Sequence, residues 1–200
     1  MARKPAETSE ALKDLRARLL QLLLERGYER RPDPFQLSSG AWSRDYIDAK
    51  RAMSLGTDLR LVAETILGLA DELDVTFDAV GGLTLGADAP AHAVSLLSGC
   101  SWFTVRKEQK AHGKQRLIEG ADIEGKRVVL VDDVVTTGKS ILQAWAAVVD
   151  AGAEVSLAVC LVDRGDEARE RLRDAGVRYE SLLTYKDLEI EPVASGRVSA

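Results

Sequence analysis

Cysteine and histidine are scarce, basic residues are in the minority, and no stretch of the chain is both long and apolar. Only two cysteines, Cys100 and Cys160, occur in 200 residues, each in an apolar stretch without C-x-x-C spacing, alongside only two histidines. This pattern excludes a disulfide framework and a zinc centre, and both thiols read as reduced core residues of a cytoplasmic protein. Lysine and arginine number 27 against 32 acidic residues, a net charge of −5, with both signs mixed along the chain. General nucleic-acid binding needs a broad basic surface, so no nucleic acid is expected as a partner. The leucine-rich run Leu19 to Leu24 is broken by Gln21 and is far too short to cross a membrane. Arg3 and Lys4 are followed by Glu7, Glu10, Lys13 and Asp14 before any apolar run, which is not the pattern of a signal peptide. No internal repeat is present, and no Ser-His-Asp or Cys-His set suggests a covalent mechanism.

A hydrophobic fraction of 46% suits one compact domain spanning 1–200. Leu12, Leu15, Leu19, Leu22 and Leu23 fall at helical spacing, and Gly27 is a good helix stop. Short β-prone pieces and turn residues fill Tyr28 to Lys50. A second amphipathic helix carries Leu59, Val62, Ile66, Leu69 and Leu73. From there strands and helices alternate. Phe77–Val80 reads as a strand, followed by a glycine-rich turn, a helix over Ala89–Leu97 and a strand over Trp102–Val105. Arg106 to Lys126 has no clear period. Further on, Val155–Val162 reads as a strand, Asp166–Ala175 as a charged helix and Val177–Leu183 as a last strand. The alternation predicts a doubly wound α/β fold whose ligands sit at the carboxyl ends of the strands. Residues 1–50 form an N-terminal helix and hood, 51–190 the α/β core, and 191–200 a loose tail.

The most informative segment is Val128 to Ser140, Val-Val-Leu-Val-Asp-Asp-Val-Val-Thr-Thr-Gly-Lys-Ser. Four consecutive β-formers make a strand apolar on both faces, as in a central parallel strand. Asp132 and Asp133 come next, where such a strand leaves the sheet. A Thr-Thr-Gly turn follows, then helical spacing through Ile141, Leu142, Ala144, Trp145, Val148 and Val149. Backbone N–H groups of the turn and helix start suit a phosphate, and the carboxylates suit sugar hydroxyls. Gly138-Lys139-Ser140 matches the end of a Walker nucleoside-triphosphate loop, but that loop needs glycine where Asp133 stands. A carboxylate there would repel a triphosphate. The pattern therefore points to a ribose phosphate.

This segment resembles the phosphoribosyl pyrophosphate signature of the type I phosphoribosyltransferases. Three further stretches resemble the orotate phosphoribosyltransferases within that group. Phe35 to Ile47 is similar to their Phe-x-Leu-x-Ser-Gly-x-x-Ser segment, Arg106 to Gly113 to their Arg-Lys-x-x-Lys-x-His-Gly stretch, and Asp163-Arg164 to an Asp-Arg pair after the next strand. The resemblance implies a type I phosphoribosyltransferase-like parallel sheet flanked by helices, with a small N-terminal hood. It implies transfer of the phosphoribosyl group from 5-phosphoribosyl 1-pyrophosphate to orotate, giving orotidine 5′-monophosphate and pyrophosphate in pyrimidine biosynthesis.

By the same resemblance, Asp132 and Asp133 would bind the ribose hydroxyls. The turn Val134, Val135, Thr136, Thr137, Gly138, Lys139 and Ser140 would hold the 5-phosphate. Thr136 and Arg164 would contact orotate, and Arg106, Lys107, Lys110 and His112 the pyrophosphate, with Lys110 and Asp133 acting in catalysis. Lys107, Lys110 and His112 would serve the partner's site in a homodimer, and 113–120 would form a cover. Mg2+ would be held mainly through substrate and water. The chain departs from the family pattern at Ser38 and Leu85, where many members carry lysine, and at Arg44, a common proline. The same signature would also serve a phosphoribosyltransferase for another base, or a non-catalytic sensor of phosphoribosyl pyrophosphate.

Overall fold

In the computed structural model the described residues are 9–37, 40–108 and 117–193. The first helix, α1 (Glu10–Arg26), starts at Ser9, whose hydroxyl accepts from the Leu12 N–H at 3.3 Å, and stops at Gly27. Strands β1 (Tyr28–Gln36) and β2 (Trp42–Ile47) then form an antiparallel ribbon. Pro32 and Pro34 cannot donate to a ladder, and the register shifts across them, between Arg30 and Phe35. A single turn, α2 (Ala49–Ala52), follows; Asp48 caps it by accepting from the Arg51 N–H at 2.9 Å.

Next come α3 (Gly56–Glu72), β3 (Ala79–Leu83), α4 (Asp88–Ser98), β4 (Ser101–Val105) and β5 (Ile118–Gly120). The chain ends in β6 (Arg127–Val135), α5 (Lys139–Asp150), β7 (Glu154–Asp163), α6 (Glu167–Asp174) and β8 (Tyr179–Thr184). The main sheet has the order β5-β4-β3-β6-β7-β8 and is parallel except for β5, which runs antiparallel to β4 at the edge. That short edge strand lies in the stretch without sequence periodicity.

Alternation along the central strands separates two cores. Val129 and Val131 of β6, with Leu157, Val159 and Leu161 of β7, face α1, α3 and α4 through Leu12, Val62, Ile66, Ala91 and Val94. Val128, Leu130, Ala158 and Cys160 face α5 and α6 through Ile141, Ala144, Val148 and Leu172. Both faces of the sheet are covered, which is why these strands read as continuous apolar runs.

Two sequence expectations are corrected. Gly81 and Gly82 lie inside β3 and are buried, although a glycine-rich turn was expected there. A Cβ on Gly81 would overlap the Phe103 carbonyl, and one on Gly82 the Val131 carbonyl, so close packing of neighbouring strands demands glycine. In addition, β6 runs on through Asp132 and Asp133 to Val135, because its ladder with β7 continues to Asp163. On the other side β6 pairs with β3 only from Val128 to Leu130. The acids therefore stand where β6 parts from β3 while still held by β7. From β3 the chain crosses over to β4 on one side, and from β6 to β7 on the other. This reversal of direction is where ligands of open α/β sheets bind.

Candidate active site

Asp132 is buried, 8% exposed, at the parting of β3 and β6. Its Oδ1 accepts from the Asp133 N–H at 2.9 Å, and its Oδ2 from the Ser140 hydroxyl at 2.5 Å. Burial pushes its carboxyl up to about 6; the Asp133 charge adds to this, while the Ser140 hydrogen bond and Lys50 oppose it. Asp133 is half-buried, with Oδ1 accepting from the Val134 N–H at 2.7 Å. Its Oδ2 is paired with the Lys50 ammonium, reaching in from α2. Gly86, in the loop after β3, closes the other side: a Cβ there would overlap Asp132 Oδ1 and lie 2.7 Å from Asp133 Oδ1.

Past the acids, the chain turns through Thr136, Thr137 and Gly138 into α5. Gly138 adopts a left-handed conformation, φ +74°, and provides no side-chain cap, so the first-turn N–H groups of α5 are left for an anion. The turn is braced from behind by α6, where the Arg171 guanidinium donates to the Thr137 carbonyl at 2.9 Å. Thr137 and Gly138 are buried, Thr136 and Ser140 half-buried, and Lys139 exposed. The Ser140 hydroxyl is turned to Asp132 and not toward the turn.

Beside the acids lies a hollow of about 540 Å3, lined from the ribbon by Phe35, Gln36, Tyr46 and Ile47 and from the sheet by Asp133, Val134, Thr136 and Arg164. Arg164 directly follows β7 and is 1% exposed. Its N–H donates to the Val135 carbonyl at 2.8 Å, and its carbonyl accepts from the Val193 N–H at 2.8 Å. Val193 is itself buried, so the chain stays packed through 193, inside the segment expected as a loose tail. The guanidinium Nη2 donates to the Ser43 hydroxyl at 3.1 Å, while Nε is buried without a partner among the described residues. Burial lowers its pKa, against the nearby Asp45 charge. Asp45 is in turn held by the Tyr28 hydroxyl and by Arg30, each at 2.9 Å. The Asp163 side chain points elsewhere and accepts from the Gly165 N–H at 3.2 Å and the Tyr179 hydroxyl at 3.0 Å. Arg164 is thus left facing the hollow.

A second hollow, about 560 Å3, is lined by Thr84, Leu85, Thr104, Arg106, Lys107, Glu108 and Glu119. Asp88 braces it, accepting from the Thr84 and Thr104 hydroxyls at 2.7 and 3.2 Å. Arg106 pairs with Glu119 at 3.3 Å, and Lys107 is exposed. Leu85 is 72% exposed and adjoins Gly86, which abuts the acids. Lys110, His112 and Ser38 lie outside the described residues. Arg44 is exposed on the ribbon. Trp42 and Trp102 are 39% and 41% exposed.

Sequence reasoning missed Lys50, Gly86 and the Ser43–Asp45–Tyr28 support behind Arg164. Lys50 sits in the run Ala-Lys-Arg-Ala, which carries no signal beyond that of a solvated helix turn.

Residues 60–180 match the phosphoribosyl transferase domain family. The orotate phosphoribosyltransferase of Corynebacterium glutamicum is 45% identical over 154 residues, covering 76% of this chain and 83% of that protein. That of Streptomyces coelicolor is 43% identical over 172 residues, covering 83% and 92%. Among solved structures, orotate phosphoribosyltransferase of Mycobacterium tuberculosis H37Rv in complex with 5-phospho-α-D-ribosyl 1-diphosphate superposes with a TM-score of 0.73 at 36% identity, over 88% of this chain and 99% of that one.

Proposed function

The chain belongs to the orotate phosphoribosyltransferase family, and from that premise we infer how its residues divide the reaction. The enzyme transfers the phosphoribosyl group of 5-phosphoribosyl 1-pyrophosphate to orotate, releasing pyrophosphate and forming orotidine 5′-monophosphate for pyrimidine biosynthesis. The observation that carries the assignment of roles is the acid pair at the β3/β6 parting, beside a helix N-terminus with no side-chain cap.

The ribose lies over Asp132 and Asp133, with its hydroxyls donating to the carboxylates, and its 5-phosphate sits on the turn 134–140 and the first turn of α5. Breaking the bond to pyrophosphate ahead of bond formation leaves positive charge on the sugar and negative charge on the leaving group. No side-chain nucleophile is needed, so catalysis comes from positioning and fixed charge. Asp133 favours the cationic sugar. Orotate occupies the hollow between the ribbon and the sheet, where the buried Arg164 fork offers directed donors to an anionic planar ring. The leaving pyrophosphate moves toward Thr84 to Gly86 and Arg106, and Lys107, Lys110 and His112 are the cations that the family resemblance assigns to the partner's site.

Among the described residues no cluster of three or more metal-ligating side chains occurs. Asp132 and Asp133 already hold hydrogen bonds from the chain, a donor set that fits Mg2+ held by substrate oxygens and water and not by a protein cage. When bound, that ion supplies neutralisation of the diphosphate charge. A homodimer is supported by exposed Leu96, Leu97 and Trp102 on α4 and β4, at 83%, 38% and 41% exposure, next to the strand that leads into Arg106. Within the N-terminal helix and hood, the β1–β2 ribbon acts as the hood, while α1 packs into the 51–190 core. Among the described residues no helix is long and apolar enough to cross a membrane, and a cytoplasmic location fits the unpaired Cys100 and Cys160.

The test is a base panel: purified protein with Mg2+ and 5-phosphoribosyl 1-pyrophosphate should consume orotate, followed by loss of its near-ultraviolet absorbance. Turnover of adenine or hypoxanthine with none of orotate would reassign the base. Saturable binding without turnover of any base would make the protein a sensor. Sharing of sites is tested by mixing Lys110→Ala with Asp133→Asn; recovered activity is expected, and its absence despite subunit exchange would refute shared sites.

A further inference from the structure

The pairing of Lys50 with Asp133 joins the hood to the acid that faces the sugar, and it uses the one Asp133 oxygen not engaged by the chain's own backbone. Oδ1 is taken by the Val134 N–H. Oδ2 is held by the Lys50 ammonium, at the end of a side chain 55% exposed, whereas the Asp133 side chain is 13% exposed. If the ribose hydroxyls donate to Asp133, Oδ2 is the oxygen they need. Lys50 and the sugar therefore compete for one atom.

The competitor is a cation and the incoming ligand a polyanion, so displacement does not remove the attraction. Around the hollow the described lining residues bring only two cations, Lys50 and Arg164, with carboxylates at Asp48 and Asp133 and the buried Asp132 behind them. Arg164 is fixed by Ser43 in the wall. Burial works against the Lys50 ammonium, but the Asp133 hydrogen bond and the charges of Asp133, Asp132 and Asp48 outweigh it and raise its pKa, so the charge is present throughout the neutral range. Lys50 is the exposed cation of the acid-lined wall. Without it, the carboxylates of this wall would be offset by Arg164 alone among the described residues that line the hollow, and the polyanion would meet an acidic face beside its phosphate-binding groups.

Resting on the reading given above, we propose that Lys50 is a positioning residue for the sugar diphosphate: it holds Asp133 in place in the free enzyme, then yields Oδ2 to the ribose hydroxyls and turns its ammonium to the ligand's negative charge. A purely structural role, fastening the hood, is already filled by other contacts. Leu12, Leu19 and Leu23 of α1 are buried in one core with Val62, Ile66 and Leu69 of α3. Ser43 receives Arg164, and Tyr28 and Ile47 pack against the main core. The hood does not depend on Lys50.

The experiment compares Lys50→Met, which keeps much of the aliphatic stem, and Lys50→Arg, which keeps the charge, with the unaltered enzyme. Steady-state kinetics are measured with each substrate varied, together with melting temperature. Lys50→Met is expected to raise KM for 5-phosphoribosyl 1-pyrophosphate by about tenfold or more, with KM for orotate changed by less than about threefold. Lys50→Arg should recover most of the loss, and both variants should melt within a few degrees of the parent. An unchanged or lowered KM for the sugar diphosphate in Lys50→Met, or a loss equal in Lys50→Arg, overturns the proposal. If the unaltered protein turns over no orotate, the parent reading fails instead. Calorimetric titration of 5-phosphoribosyl 1-pyrophosphate into parent and Lys50→Met then decides the role of Lys50 by the same ratio of affinities.

Discussion

Substituting Asn for Asp132 probes the acid pair through stability and activity together, with opposite signs. In the free enzyme burial holds the Asp132 carboxyl at about 6, against an ordinary value of 3.8. The folded state therefore binds this proton more tightly than the unfolded chain does. Between about pH 4 and 6 stability falls as pH rises, and above that the whole penalty of an ionised buried carboxyl is present. A difference of roughly 2 units at ~1.4 kcal/mol each sets an upper bound of about 3 kcal/mol. Asn keeps an acceptor for the Asp133 N–H and can donate to the Ser140 oxygen, so neither existing bond need be lost.

Asp132→Asn should then be more stable than the parent by about 1–3 kcal/mol at pH 8, a rise in Tm of about 2–8 °C for a chain of this size. The gain should shrink as pH falls toward 4 and vanish only below about pH 3, where the parent is protonated in both states. Its kcat/KM for the sugar diphosphate should fall by about 10²-fold or more, because the charge opposite the cationic sugar is gone. Calorimetric melting of both proteins from pH 4.5 to 8, beside initial rates at pH 8, tests both halves. A variant that melts below the parent at pH 8, or whose advantage grows as pH falls, would refute this account of Asp132. In the parent the same ionisation should appear as a fall in kcat/KM for the sugar diphosphate as pH drops through about 6.

Gly86→Ala would thrust a Cβ against Asp132 Oδ1 and Asp133 Oδ1, so a loss of about 10–10²-fold in kcat/KM for the sugar diphosphate is expected, with a smaller change in KM for orotate. Near-normal rates in that variant would show that the loop after β3 does not set the acids. Arg164→Lys keeps the charge but not the planar fork: KM for orotate should rise by about tenfold or more and KM for the sugar diphosphate by less. Because Arg164 is 1% exposed and its Nη2 bond to Ser43 is lost, stability should also drop by about 1–3 kcal/mol, measured by urea unfolding.

Much of the site could be read before folding because its signals are local. The βα alternation required only the spacing of apolar residues. The step from an apolar strand through Asp132-Asp133 and Thr136-Thr137-Gly138 into α5 lies within thirteen consecutive residues, and each residue type suits its place by its own chemistry. Strand ends were less legible. Asp is a poor strand former, so β6 was expected to stop at Val131, yet pairing with β7 carries it to Val135. Gly81 and Gly82 looked like turn residues because nothing local tells that Phe103 and Val131 will press on them.

What the chain by itself determined was the order of elements, the acid-bearing segment and the anion-seeking helix start, since these follow from propensity and turn chemistry over a few residues. The tertiary structure alone decided which distant groups meet that segment. Lys50 reaches Asp133 across 83 positions, and Ser43 reaches Arg164 across 121. Such pairings follow from the strand order and from the packing of the hood on the sheet. They depend on how the layers close around the β3/β6 crevice, and no periodicity or short motif encodes them.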